Sequence, residues 1–483
     1  MESVKQKAAQ SIIWSIIQRF GYMAISFISG IVLARLLMPE DYGAIGMLSI
    51  FMIVAQGFLD GGFDTALLQK KRPTQQDYST IFFWNLALSS FLYACLYFAA
   101  PYVASYYNMP TLCSVLRVQA LVLIVYSLTL VQSSILKKQF KFKKIAVVQI
   151  ISSSIALIVT ILMAYKGYGV WSLVTQNLLI TVLPTIIYLL TDKWLPSFTF
   201  SKDSFKELFS FGIFMLLARI TNDICNNIQG LLIGRFYNAS TMGYFSKAMS
   251  TEKLASTSIS QALNLVSFPL YSEFQDDLKK LTEVIGKLTR TIAYLTFPLV
   301  SLLILLAKPI FIILYSERWL DSIPFFQILC LMGLVACLQS VNSQAIAAIG
   351  KSKQLFGWTL LIRLSGLMFL IGGFLINGIW GLLWGIVFQE WYVYLFNSIL
   401  VAKYIGYTVK KMLTDIAPMI ILSVLGLVSS YFLGSIISNN LYIAGAIKLV
   451  CFLAIYIILS KLFKIKELGD IILLLKKCRK KNK

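Results

Sequence analysis

Long apolar runs follow one another along this chain and leave little sequence for any other kind of fold. A bilayer core about 30 Å thick needs about 20 predominantly apolar residues per helix. The chain has fourteen runs of about that length, near residues 11–37, 43–69, 79–107, 112–136, 145–166, 169–191, 208–236, 241–270, 288–315, 323–349, 355–376, 379–402, 413–435 and 441–463. Only 13% of the residues are charged, against about 25% in soluble proteins. We therefore expect an all-α integral membrane protein with about fourteen transmembrane helices.

Lysine and arginine are concentrated in alternate loops, and this alternation gives the expected orientation. Lys70, Lys71 and Arg72 follow the second run, five lysines lie between 137 and 144, and the chain ends in KKCRKKNK. Because short loops rich in lysine and arginine stay in the cytoplasm, both termini are expected there. The same loops account for the formal net charge of +22. Membrane lipid, and not nucleic acid, is the expected partner of these basic segments.

Several kinds of chemistry are not expected from this composition. The chain has no histidine, which is the commonest general base and metal ligand in proteins. Its seven cysteines include no CxxC pair. The segment AIGKS (348–352) lacks the first glycine of a phosphate-binding loop. We therefore expect a transporter and not an enzyme, with no cofactor, no bound metal and no ATP site.

An internal repeat relates the two halves of the sequence. A shift of 200 positions places Arg19 on Arg219 and GIVLAR (30–35) on GLLIGR (230–235), and a shift of 209 places Gly169 on Gly378. An even number of helices per copy makes this a parallel repeat. Transporters built in this way bind substrate between their halves.

The repeat predicts a division of the chain into four parts. We expect an N-lobe over 1–200 with helices 1–6 and a C-lobe over 201–405 with helices 7–12. Two further helices would occupy 406–465, and a basic cytoplasmic tail would occupy 466–483.

Four basic residues in or near these helices are candidates for substrate binding: Arg19, Arg219, Lys247 and Lys253. A charge at the centre of a membrane helix costs about 2.5–3.5 kcal/mol on insertion scales, so it commonly serves a function. The alternative for Arg19 is that its side chain reaches back to the cytoplasmic headgroups. Because the same charge recurs at the same depth in both halves, we favour a cavity role. The resulting cavity would be cationic and polar.

The acids that could balance these charges are few. Asp223 lies one turn after Arg219, which allows an ion pair within the helix. Arg19 has no acid at that spacing, so its counter-charge would come from Asp60, Asp64 or Glu390 or from a ligand. These four acids are also the candidates for binding an ion or a proton.

Five stretches of the sequence resemble one family: LARLLMPEDYGAIGMLSIF (33–51), DTALLQKKRPTQQDYSTIFFWNLALS (64–89), GYGVWSLVTQ (167–176), LLIGRFYNASTMGYFSKA (231–248) and YSERWLDSIPFFQILCL (315–331). They are similar to the bacterial polysaccharide exporters of the MOP (MATE-like) superfamily, in particular to Wzx/WzxC-type lipopolysaccharide and O-antigen flippases. The resemblance implies a V-shaped bundle of two six-helix lobes plus two further helices.

The resemblance also implies a substrate and a location. The substrate would be an undecaprenyl-diphosphate-linked oligosaccharide, moved to the outer leaflet of the bacterial cytoplasmic (inner) membrane by alternating access. Glycosyltransferases and a polysaccharide polymerase of the same pathway would be partners, and a monomer is expected.

Two other functions stay open at this point. A MATE-like small-molecule exporter would need an acidic cavity, which only Asp60, Asp223 and Glu390 could supply. A membrane glycosyltransferase or polymerase would need catalytic acids and a large loop on the outer face, and the sequence offers neither.

Overall fold

The structure is a computed structural model that describes residues 4–61, 63–192, 194–437 and 440–469. The predicted basic tail therefore lies almost entirely outside the described residues. The chain forms two compact units, Met1–Ser246 and Lys247–Lys483. The boundary falls inside a helix, and the lobe boundaries inferred from the sequence repeat stay a prediction.

Unit 1 contains ten helices within its described residues and the start of an eleventh. Their bounds are α1 Val4–Leu36, α2 Pro39–Asp60, α3 Phe63–Gln69, α4 Gln75–Tyr106, α5 Thr111–Gln119, α6 Leu121–Lys138, α7 Phe142–Tyr165, α8 Val170–Thr191, α9 Lys202–Asn227 and α10 Gln229–Phe236, followed by α11 Ala239–Glu273. Helix α1 packs against α7, α7 against α8, and α2 against α9.

Unit 2 contains the rest of α11 and six further helices within its described residues. Their bounds are α12 Leu278–Leu305, α13 Ala307–Tyr315, α14 Ser322–Ala348, α15 Ser352–Ile405, α16 Val409–Ile437 and α17 Leu441–Leu462, with a short 3₁₀ turn at Glu317–Trp319. Large aromatic side chains, among them Tyr271, Phe297, Tyr394 and Phe452, are buried in its core. Arg290 of α12 also binds Asp415 of α16 at 3.1 Å and Glu467, beyond α17, at 2.8 Å.

The all-helical membrane architecture is confirmed, whereas the count of fourteen spans stays a prediction. Within the described ranges, eleven helical stretches are long and apolar enough to cross a membrane. One of them, Gly357–Ile405, covers two predicted spans, because α15 continues across a break at Asn377 and Gly378. The seventh and eighth predicted spans are α9–α10 and α11, which are not among the eleven. These helices carry more charged and polar side chains than the others.

Two backbone features coincide with the internal repeat. Gly169, which precedes α8, has φ 53° and ψ −128°, and its partner in the repeat, Gly378, has φ 52° and ψ −131°. Only glycine adopts this conformation readily. The same unusual geometry therefore precedes the sixth helix of each predicted copy.

Equivalent glycines also meet at the starts of α2 and α11. A Cβ added to Gly43 would overlap the carbonyl oxygen of Ala239, and one added to Gly243 would overlap that of Pro39. The two pairs are related by the shift of 200 positions. Ser240 adds a hydrogen bond of 2.8 Å from its hydroxyl to Glu40. Within unit 1, the two helix starts are therefore in backbone contact.

Candidate functional site: a polar cavity within unit 1

A break between α2 and α3 lies beside a polar cavity of unit 1, and two acids flank this break. Gly61 takes the left-handed conformation (φ 33°) that commonly closes a helix, and α3 starts at Phe63. Asp60 is the last residue of α2, and Asp64 lies in the first turn of α3. Both carboxylates line the same cavity.

The cavity has a volume of about 830 Å³, within the range of roughly 300–1,000 Å³ that is typical of ligand pockets. Side chains from α1, α2, α3, α6, α7, α8 and α9 line it. The polar and charged members are Gln18, Asp60, Asp64, Tyr126, Thr129, Ser133, Lys137, Gln149, Thr181, Tyr188 and Arg219.

Arg219 is the largest cation of the cavity, and it lies between two acids. Its Nη2 is 2.6 Å from Oδ2 of Asp60, and its Nε is 3.6 Å from Oδ2 of Asp223. The hydroxyl of Tyr126 donates a hydrogen bond of 2.5 Å to the other oxygen of Asp60. The predicted pair with Asp223 is therefore present. The guanidinium side chain is still 52% exposed, so it can bind a further anion.

A second ion pair lies in the same cavity. Nζ of Lys137 is 2.8 Å from Oδ2 of Asp64, and the hydroxyl of Ser134 donates to the other oxygen at 2.5 Å. Two acids and two bases therefore line the cavity and balance each other. The cationic cavity inferred from the sequence was expected between the two halves of the repeat, and it stays a prediction.

Arg19 lies on the exposed surface of α1 and does not line the cavity, although its neighbour Gln18 does. Within the described part of the chain, it makes no ion pair or hydrogen bond. The acids suggested as its counter-charge are paired elsewhere. Asp60 binds Arg219, Asp64 binds Lys137, and Glu390 binds Arg363 at 3.2 Å.

The two candidate lysines belong to unit 2. Lys247 is only 4% exposed, and its ammonium lies 4.0 Å from the ring centre of Tyr315 and 5.5 Å from that of Trp319. Aromatic faces attract cations, which accounts for a charge at this buried position. Lys253 is exposed.

Sequence reasoning missed Lys137 and Tyr126 as cavity residues. The charge pattern places Lys137 in a cytoplasmic loop, but this residue is still within α6, which ends at Lys138. Tyr126, Thr129, Ser133 and Lys137 are spaced by three and four residues, so they share one face of that helix. This polar stripe is the signal in the sequence that could have revealed the cavity.

A smaller cavity of about 300 Å³ continues from the first one within unit 1. Ile180 and Thr181 of α8 line both cavities. Its polar lining includes Tyr22, Ser49, Gln56, Gln119 and Asn177. A seam of polar side chains therefore runs through the helices of unit 1, as is typical of membrane proteins that handle polar ligands.

Known proteins are similar to this chain in sequence and in fold. Residues 32–324, more than half of the chain, match the family described as "Polysaccharide biosynthesis protein". The chain is 24% identical over 374 residues to the teichuronic acid biosynthesis protein TuaB of Bacillus subtilis (strain 168), covering 77% of this chain and 76% of that protein. It is 20% identical over 335 residues to the lipopolysaccharide biosynthesis protein WzxC of Escherichia coli (strain K12), covering 69% and 68%.

Solved structures define the fold. The lipid II flippase MurJ in an inward closed conformation aligns with a TM-score of 0.78 at 17% identity, covering 95% of this chain and 100% of MurJ. An inward-facing multidrug resistance MATE family transporter of the MOP superfamily aligns with a TM-score of 0.62 at 16% identity, covering 82% and 98%. At 17% and 16% identity, this structural similarity shows the fold alone. The predicted resemblance is confirmed: the chain is a multi-span membrane protein with the fold of MOP superfamily transporters, and it belongs to the polysaccharide biosynthesis protein family.

Proposed function

We propose that this protein is a flippase that moves an undecaprenyl-diphosphate-linked oligosaccharide across the bacterial cytoplasmic membrane by alternating access. The oligosaccharide would then enter lipopolysaccharide, O-antigen or another surface polysaccharide. TuaB acts in teichuronic acid biosynthesis and WzxC in lipopolysaccharide biosynthesis, which supports a role in making such polymers. MurJ is a lipid II flippase, which supports a lipid-linked substrate for this fold.

The half-exposed guanidinium of Arg219 in a large polar cavity is the observation that carries this proposal. Arginine binds phosphate oxygens through two parallel hydrogen bonds. Hydroxyl and amide side chains such as Thr129, Gln149 and Thr181 suit the hydroxyl groups of a sugar. A diphosphate would compete with Asp60 for Arg219, so binding would loosen an ion pair that is closed in the free protein.

Arg19 is exposed on α1 outside this cavity, next to Gln18, which lines it, and no described acid neutralises its charge. It would therefore attract the diphosphate as the substrate approaches the cavity. Lys247 and Lys253, which belong to unit 2, stay predicted substrate-binding residues. The polyprenyl chain would remain in the bilayer.

A MATE-like small-molecule exporter receives less support. The acids that could form a cation site, Asp60, Asp223 and Glu390, each lie within 4 Å of an arginine in the described residues. An acid that already has an arginine partner attracts an organic cation weakly.

The same proposal includes the membrane orientation, the lobe boundaries, the oligomeric state and the partners of the protein. Both termini would lie in the cytoplasm, as the basic loops suggest. The lobes would span 1–200 and 201–405, with two further helices over 406–465 and a basic tail over 466–483. The protein would act as a monomer without cofactor, catalytic site or nucleic-acid partner. It would work beside the glycosyltransferases and the polymerase of its pathway.

Deletion of the gene in its bacterial host tests this function. We expect loss of the surface polysaccharide and accumulation of its lipid-linked oligosaccharide in the cytoplasmic membrane, with both reversed by the wild-type gene. A strain that lacks only the polymerase is the control, because it should still present single oligosaccharides on the outer face. Normal surface polysaccharide in the deletion strain would count against the proposal.

A further inference from the structure

Among the described residues, Glu252 of α11 is a buried acid without a basic partner. Its side chain belongs to unit 2 and is 2% exposed, and its Oε2 has no hydrogen-bond partner in the described part of the chain. Six other acids in or beside the apolar helices each lie within 4 Å of a lysine or arginine: Asp60, Asp64, Asp77, Asp223, Glu390 and Asp415. In the described ranges, no such ion pair includes Glu252.

The space around Glu252 fits one carboxyl group and little else. The void beside it measures about 10 Å³, whereas a single water needs roughly 10–15 Å³. Gly333 of α14 faces the carboxyl, and a Cβ at that position would lie 2.5 Å from its Oε1. Ser256, one turn along α11, lines the same void. A metal ion with its ligands has no room here, but a proton does.

The titratable and charged groups around Glu252 do not stabilise a negative charge well. Helix α14 contributes the thiols of Cys330 and Cys337, and α12 contributes the neutral Thr296. Glu390 of α15 already binds Arg363, and Lys253 on the same helix as Glu252 is exposed. Burying an ionised carboxylate without a base in contact costs several kcal/mol, so the neutral acid is the stable form at this position.

We infer that Glu252 binds a proton and couples its release to the transport cycle, which extends the proposed flippase function. With α11, α12 and α14 packed together, the acid stays protonated. When these helices separate and water enters, its O–H bond breaks, the proton passes to water, and a carboxylate remains. Repacking of the helices requires a new proton. Substrate movement would therefore depend on proton exchange at this site.

The test begins with a measurement that needs no substrate. Infrared spectra of the purified full-length protein at neutral pH should contain the carbonyl band of a buried protonated carboxylic acid. Glu252→Gln should remove that band, Glu252→Asp should keep it at a shifted position, and Glu283→Gln should leave it unchanged, because Glu283 is exposed. A band that persists in a folded Glu252→Gln protein overturns the inference.

The second part uses vesicles that contain the protein and a lipid-linked oligosaccharide. A pH gradient should change the transfer rate of the wild type and of Glu283→Gln, and it should have no effect on Glu252→Gln. If Glu252→Gln responds to the gradient as the wild type does, the coupling is wrong. If the wild type transfers nothing, the flippase function fails, while the infrared result still decides whether Glu252 holds a proton.

Discussion

Cells whose only copy of this protein carries Arg19→Ala are expected to lose export of the surface polysaccharide, while the protein reaches the membrane at its normal level. Arg19 is exposed and forms no ion pair in the described part of the chain, so its removal strands no acid. A hydrogen bond to a charged group contributes about 1.5–3 kcal/mol, and each 1.4 kcal/mol is about a tenfold change in affinity. Loss of the diphosphate contact should therefore reduce substrate affinity at least about tenfold. Surface polysaccharide and membrane-bound protein are measured side by side.

Two further variants of α1 test how Arg19 acts and provide a control. Arg19→Lys keeps the charge but cannot bind two phosphate oxygens in parallel, so intermediate export would indicate bidentate recognition. Ile16→Ala alters an exposed residue of α1 three positions earlier and should leave export unchanged. Full export by Arg19→Ala would show that this charge has no part in substrate binding.

Arg219→Ala is expected to abolish export and also to destabilise the protein. The change leaves Asp60 and Asp223 without the guanidinium that binds both of them. Removing one partner of a membrane ion pair leaves an uncompensated charge, which is more costly than removing both partners. The melting temperature in detergent should therefore fall for Arg219→Ala and recover in part in the double variant Asp60→Asn/Arg219→Ala, in which only Asp223 is left without the guanidinium.

Export should not recover in that double variant, because the phosphate-binding guanidinium is still missing. The neighbouring pair of Lys137 and Asp64 provides the control, since it is another ion pair of the same cavity. Asp64→Asn/Lys137→Ala should affect export less, because lysine contributes a point charge and not a planar pair of donors. If the Asp60→Asn/Arg219→Ala protein is stable and exports normally, Arg219 serves only to hold the helices together.

The fold was largely predictable because membrane spans leave a strong and simple signal. Runs of about 20 apolar residues located the helices, and the repeat predicted that Gly169 and Gly378 occupy equivalent positions, which their backbone angles support. The eighth span was the hardest to predict by hydropathy, because α11 carries Lys247, Glu252 and Lys253.

The pairing of charges was less predictable. The contact of Arg219 with Asp223 follows from helical spacing, so the sequence could predict it. The contacts of Asp60 with Arg219 and of Asp64 with Lys137 depend on which helices pack together, and no local spacing encodes that. The contact of Lys247 with the ring of Tyr315 was also not predictable from local spacing, because 68 positions separate the two residues.

Transfer of a lipid-linked oligosaccharide between leaflets is the measurement that tests the central claim most directly. The purified protein is reconstituted into vesicles with an undecaprenyl-diphosphate-linked oligosaccharide whose sugar carries a fluorophore, and a membrane-impermeant reductant is added outside. Vesicles that contain the wild-type protein should lose nearly all fluorescence as inner-leaflet molecules reach the outer leaflet. Vesicles without protein should lose only the signal of the outer leaflet, and vesicles with Arg19→Ala should lose the inner-leaflet signal at least about tenfold more slowly than the wild type. If wild-type and protein-free vesicles retain the same protected fraction, this protein is not a flippase for that substrate.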